Sequence, residues 1–348
     1  MFENAYFAGG FSFLFTLVGT LTALALFPRL KLLDHPELHG LDRAPIPYSG
    51  GLVLFFSFLF STLIFIDLSK QVVAVIFAAL LIAFVSFLDD RFFLSPFLRL
   101  GAQFLAGVIV VLGGIGIRSI TNPFGQPIVL DAIRVEMFGA EVWLLSAAVI
   151  ILWLILMMNV MNWLDGIAGL TSGVGVIASL VLFVLSVQGF HTVDQTTIVI
   201  FSISLAASLL AFWFFDFWPP KILMGDTGSM LVGFLLGVFA VFSGGKLATV
   251  LLIMGFPVLD ALWIIARRIF SGRSPFRGDL KHFHHRLLRV GLSPRRALIF
   301  NYVLCALFGA IALFMDSAQQ KALALVFLFA CMIVAALFVV FLEKKRSP

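Results

Sequence analysis

The chain has 348 residues, of which 61% are hydrophobic and only 12% charged, with a mean hydropathy of +1.12. Soluble domains run near a quarter charged, so this composition excludes a soluble globular protein and points to an integral membrane protein. The formal net charge of +5 is no nucleic-acid signature, because the basic residues gather beside apolar runs rather than on one soluble face.

The apolar runs are unbroken and about 20 residues long, the length a helix needs to cross a hydrocarbon core of roughly 30 Å. A β-barrel would show period-two alternation instead. The expected fold is an all-α polytopic membrane protein of one domain, 1–348, with about eleven transmembrane helices. In chain order the apolar segments are 5–27, 50–66, 71–88, 98–117, 142–161, 167–187, 196–215, 227–243, 247–265, 297–315 and 321–342. Glu3 stands before the first run and no Lys or Arg does, which argues for a retained first helix over a cleaved signal peptide. Cys305 and Cys331 lie inside apolar runs and read as small buried hydrophobes, with no disulfide framework.

With eleven spans the connections fall alternately on two sides, and eighteen of the 23 Lys and Arg collect on one of them. The other side holds Lys70, Arg118, Arg134, Lys246 and Lys321. The positive-inside rule makes the eighteen-residue side cytoplasmic, with the amino terminus outside and the carboxyl terminus inside. On the outer side, 118–141 carries Asn-Pro, Gly and β-branched residues that suggest a small hairpin. The cytoplasmic loops lie near 28–50, 88–98, 162–170, 216–227 and 266–296. The first is rich in Pro and Gly; its Asp34, His39 and Arg43 fit a solvated linker or a substrate-facing role equally well.

The acids are placed unevenly. Asp89 and Asp90 end the third span, Asp165 follows the fifth, Asp216 and Asp226 precede the eighth, and Asp260 lies within the ninth. On the topology above, the first five share the cytoplasmic side. Clustered oxygen ligands suit a hard cation such as Mg²⁺, which keeps waters and bridges to phosphates. The helix that starts after Asp226 can also meet an anion with its amides.

The loop 266–296 carries nine Lys or Arg against one acid, Asp279, together with His282, His284 and His285. Only His282 and His285 fall on one helical face. Lys281, Arg286 and Arg289 surround them, and such a field repels a divalent cation and attracts phosphate. An acid cluster beside a basic flap fits phosphoryl transfer at a bilayer surface. A secondary transporter, the alternative from another class, would place its ionisable residues near the bilayer midplane.

The ordered set LDDRFFLSP, NVMNWLDGIAGL, PPKILMGDTGSM, PVLDA and PFRGDLKHFHHRL resembles the polyprenyl-phosphate N-acetylhexosamine-1-phosphate transferases, from about Asp34 to Arg296. The resemblance implies that a lipid phosphate, undecaprenyl phosphate in bacteria, attacks the β-phosphate of a UDP-N-acetylhexosamine with Mg²⁺ or Mn²⁺, releasing UMP. It implies a multi-pass protein of the bacterial cytoplasmic membrane and is compatible with a homodimer. Asp226 then looks like a metal ligand and Asp89 and Asp90 like the catalytic acidic pair, with Asp90 helping to hold the metal. Asn162 and Asp165 look like nucleotide-side residues. His282, His284, His285 and Arg286 look like the diphosphate-binding loop, and Arg43 stands close to where a Lys is common. One departure stands out: many bacterial members read Asp-Gly-x-Asp-Gly-Leu, and here the second acid is Ala168. Either that acid is dispensable, or Asp260 or Asp216 supplies its hydrogen bond. The related phospho-MurNAc-pentapeptide transferases typically carry a consecutive histidine triplet and an extended following segment, whereas this chain reads His-x-His-His and then GLSPRR.

Overall fold

A computed structural model describes residues 2–39, 43–137, 139–189, 195–243, 247–270, 272, 282–315 and 317–346. The helices in chain order are α1 (Phe2–Leu26), α2 (Gly51–Phe65), α3 (Lys70–Phe92), α4 (Pro96–Leu112), α5 (Leu144–Leu164), α6 (Leu170–Gln188) and α7 (Thr196–Asp216). They continue as α8 (Gly225–Phe242), α9 (Leu247–Ile253), α10 (Gly255–Phe270), α11 (Phe283–Arg289), α12 (Pro294–Phe314) and α13 (Ala318–Arg346). Among the described residues, eight helices are long and apolar enough to cross a membrane; α2 and α4 are apolar but shorter, at 15 and 17 residues. Large apolar side chains such as Phe77, Phe84, Val326 and Phe341 are exposed, as lipid-facing residues are.

Local chemistry marks the starts of α3, at the end away from the site, and of α4, beside it. Ser69 and Ser95 each cap a helix with the side-chain oxygen, accepting from Val72 and Leu98 N–H, and Pro96 then opens α4. Helix α8 is the hub: nearly all of it is buried, against α2, α3, α5, α6, α7 and α9. Close approach to α2 depends on Gly51, where a Cβ would fall 2.0 Å from the Gly228 backbone nitrogen. In the apolar interior, Ser57 pairs with Ser208 at 2.7 Å and Ser61 with Ser204 at 2.9 Å, satisfying hydroxyls where no water reaches.

Segment 118–141 forms two antiparallel pairs, β1 (Ser119–Ile120) with β2 (Ile128–Val129) and β3 (Arg134–Met137) with β4 (Ala140–Trp143). The expected hairpin is therefore doubled. The single span expected over 247–265 is instead a pair, α9 and α10, bent by 85° at Met254. Pro257 explains the break: it has no N–H to give back to the preceding turn. The bend carries Asp260 toward the first residues of α11.

Candidate active site

The ends of α3, α4, α5 and α8 and two loops meet at one end of the bundle. The loop before α2 zips onto the segment before α8, with Leu223 N–H donating to Pro47 O and Gly50 and Gly51 N–H to Leu223 O and Met224 O, each at 2.9 Å. This brings Ser49 to the end of α3, where its hydroxyl donates to Asp90 Oδ2 at 2.9 Å.

Asp90 then caps α8 from outside that helix. Its Oδ1 accepts Asp226 N–H at 2.8 Å, and its Oδ2 accepts Thr227 N–H at 3.3 Å and the Thr227 hydroxyl at 2.5 Å. A carboxylate at a helix amino terminus satisfies unpaired amides and meets the positive end of the dipole. The approach is so close that a Cβ on Gly225, which has φ +72°, would fall 2.6 Å from Asp90 Oδ2.

Asp89 faces another way. Its Oδ1 accepts Leu94 N–H at 2.7 Å, and its Oδ2 accepts Arg99 Nη1 at 2.9 Å. The same guanidinium nitrogen donates to Asp226 Oδ2 at 3.2 Å. Asp226, not Asp90, is thus the acid that shares a cation with Asp89. Asp89 is 6% exposed and Asp226 is 26% exposed, so the shared position opens on the Asp226 side. Among the described residues no three His, Cys, Asp or Glu side chains converge as a metal cage. Mg²⁺ in phosphoryl-transfer sites takes one or two carboxylates plus the substrate's phosphates, and Asp89 and Asp226 fit that donor set.

Around this centre, Asn162 at the end of α5 donates to Ser229 Oγ on α8 at 3.2 Å. Burial, and then the charge of Asp216, hold the Asp165 carboxyl well above its ordinary 3.8. Burial, and then Asp90, hold the Tyr48 phenol well above 10, so it remains a neutral hydroxyl beside the acids.

The basic flap is tied down by an acid. His282 Nδ1 lies 2.9 Å from Asp260 Oδ2, and the Phe283 N–H reaches both Asp260 oxygens at 3.1 and 3.2 Å. Trp163, next to Asn162, stacks on the His282 ring with centroids 6.1 Å apart. His284, His285 and Arg286 follow on α11. Burial, with His282 and Arg289 nearby, keeps the His285 imidazole below its ordinary 6.5, hence neutral at pH 7. The part of the flap from Arg273 to Lys281, the side chain of His284, and the side chain of His39 lie outside the described residues.

Arg43 is not directed at this centre. Both of its Nη atoms donate to the Asp34 carboxylate, one of them at 3.3 Å, and Asp34 also accepts Ile46 N–H at 2.8 Å. The pair staples the loop. Sequence reading missed Arg99, Ser49, Thr227, Tyr48 and Trp163. Arg99 was visible only as a topology marker, although Ser95-Pro96 already placed it on the first turn of a helix facing the acids.

A sequence model of glycosyl transferase family 4 matches residues 72–244. A decaprenyl-phosphate N-acetylglucosaminephosphotransferase of Mycobacterium leprae is 30% identical over 337 residues, covering 88% of this chain and 80% of that protein. The chain belongs to glycosyl transferase family 4. Two further relatives, from Yersinia pestis and Escherichia coli K12, are named undecaprenyl-phosphate alpha-N-acetylglucosaminyl 1-phosphate transferases. They are 28% and 27% identical, each over 86% of this chain and 81% and 80% of their own lengths. The matched interval of the family 4 model contains Asp89, Asp90, Arg99, Asn162, Asp165 and Asp226.

Proposed function

We propose that this chain transfers N-acetylglucosamine 1-phosphate from UDP-N-acetylglucosamine to undecaprenyl phosphate, at the cytoplasmic face of a bacterial inner membrane. The observation that carries this reading is the pairing of Asp89 and Asp226 through one Arg99 nitrogen, at one end of an apolar helical bundle whose relatives bear that activity in their names. The arrangement suits joining two phosphate-bearing substrates at a membrane surface.

An oxygen of the lipid phosphate forms a bond to the β-phosphorus of the donor, the bond from that phosphorus to the bridging oxygen breaks, and UMP leaves with the electron pair. The lipid phosphate's second pKa is about 6, so at neutral pH it is mostly dianionic and needs little help from a base. Repulsion is the obstacle, on the order of 4 kcal/mol per pair of unit charges at 4 Å and an effective dielectric of 20. Arg99 offsets part of it where the phosphates meet. Asp226 and Asp89 are the residues that would hold a Mg²⁺, which would supply the remaining charge neutralisation. Asp90 orients Asp226 by fixing the start of α8. Because Asp90 already accepts four hydrogen bonds, direct attack by the lipid is favoured over a covalent intermediate on that carboxylate. Asn162 and Asp165 hold the nucleotide side, and His282, His285 and Arg286 meet the diphosphate.

If α2, α4 and the α9–α10 pair each count as a span, the described residues make eleven crossings, and on that reading the acids of the site fall on the Lys- and Arg-rich side. Purified protein incubated with undecaprenyl phosphate, Mg²⁺ and a panel of UDP-sugars should release UMP fastest from UDP-N-acetylglucosamine. Equal or faster release from another UDP-sugar would overturn the donor assignment.

A further inference from the structure

Ala168 stands where the similar transferases place the second acid of Asp-Gly-x-Asp-Gly-Leu, yet the turn from Asp165 to Gly169 still closes on a carboxylate. That carboxylate is Asp216, the last residue of α7. Its Oδ2 accepts Gly169 N–H at 3.0 Å and the Ser172 hydroxyl at 2.7 Å. Both donors belong to the amino-terminal end of α6, where amides lack partners within the helix. Asp216 is 1% exposed, and its Oδ1 accepts no hydrogen bond among the described residues, so a single oxygen does the holding.

The other side of the turn is fixed as well. The Tyr302 hydroxyl on α12 donates to Gly169 O and accepts the Trp213 indole N–H at 3.0 Å. Trp213 and Asp216 are three residues apart on α7, so that helix grips the turn directly through Asp216 and indirectly through Tyr302. Asp260, the other acid able to replace the missing one, is engaged with His282 and the Phe283 N–H instead.

We infer that Asp216 is a positioning residue for the nucleotide-sugar loop, supplying from the end of α7 the acceptor that an acid at position 168 would supply from within the turn itself. The inference rests on the reading of Asn162 and Asp165 as nucleotide-side residues. It requires an acceptor oxygen at this place, not a charge, because an amide oxygen can take both hydrogen bonds.

The test compares the full chain with Asp216→Ala, Asp216→Asn and the double variant A168D/D216A. Two quantities are read: hydrogen–deuterium exchange of the 162–175 segment, and KM for UDP-N-acetylglucosamine at saturating undecaprenyl phosphate. Asp216→Ala should speed exchange and raise KM by about tenfold, with kcat changed by less than about threefold. Asp216→Asn and the double variant should return both quantities to within about threefold of the unsubstituted chain. Faster exchange with unchanged KM would overturn the inference, leaving Asp216 a fold residue only. So would a loss in Asp216→Ala that Ala168→Asp does not repair. If Asp216→Ala does not fold, a double variant that folds and binds donor supports the inference, and one that also fails to fold overturns it. An unsubstituted chain without turnover would instead refute the proposed reaction, while the exchange measurement still reports on the Asp216 contact.

Discussion

Asp90 and Asp226 are joined through the backbone of α8, and their substitution should separate stability from catalysis. Asp90→Ala removes the acceptor for two helix amides and two hydroxyls. It should lower stability by about 1–2 kcal/mol, read as a fall in melting temperature, along with UMP release. Asp226→Asn keeps the backbone contact to Asp90, so melting should hold while UMP release falls at least about 100-fold. A variant with wild-type turnover would contradict the role of Asp226. Asp165 has a different signature, because its folded pKa lies well above 3.8. Below 3.8 the carboxyl is neutral whether folded or unfolded. As pH rises the unfolded state ionises first, and stability falls until the folded pKa is passed. Asp165→Asn removes that loss, so its melting temperature should match the wild type near pH 3.5 and exceed it increasingly toward neutrality. A constant difference across pH would contradict the burial of that group.

At the scale of elements, the site depends on how closely α2 and α8 approach. Gly51→Ala puts a Cβ 2.0 Å from the Gly228 backbone nitrogen, where no rotamer change relieves it. It should cost on the order of 1–3 kcal/mol, measured by thermal unfolding, and pull Ser49 off Asp90. Gly50-Gly51 was readable only as part of a Pro- and Gly-rich loop, because the partner backbone is more than 170 residues away in sequence. The starts of α3 and α4 carried local signals in Ser69, Ser95 and Pro96, which act on their own neighbours, although only the apolar runs 71–88 and 98–117 were read. The break between α9 and α10 carried a local signal in Pro257, hidden by the apolar run across it. What was not legible is long-range pairing: Arg43 with Asp34 and Arg99 with two acids depend on how loops cross, which residue type alone does not encode.

For the whole molecule, the apolar runs and the skewed placement of acids already implied a helical membrane bundle with an acidic end, because both follow from solvent and charge alone. The orientation of that bundle is a separate expectation. A single cysteine replacing Asp67 should react with a membrane-impermeant maleimide on intact cells, and one replacing Arg346 should react only after permeabilisation. The reverse pattern would invert the topology and place the acids outside.

The reaction itself is tested most directly by following phosphorus. UDP-N-acetylglucosamine labelled at the α- or the β-phosphate is given to purified protein with undecaprenyl phosphate and Mg²⁺, and the lipid is extracted. The account predicts that the β-label enters the lipid fraction while the α-label remains in water as UMP. Transfer of sugar with neither label, or release of UDP, would contradict it.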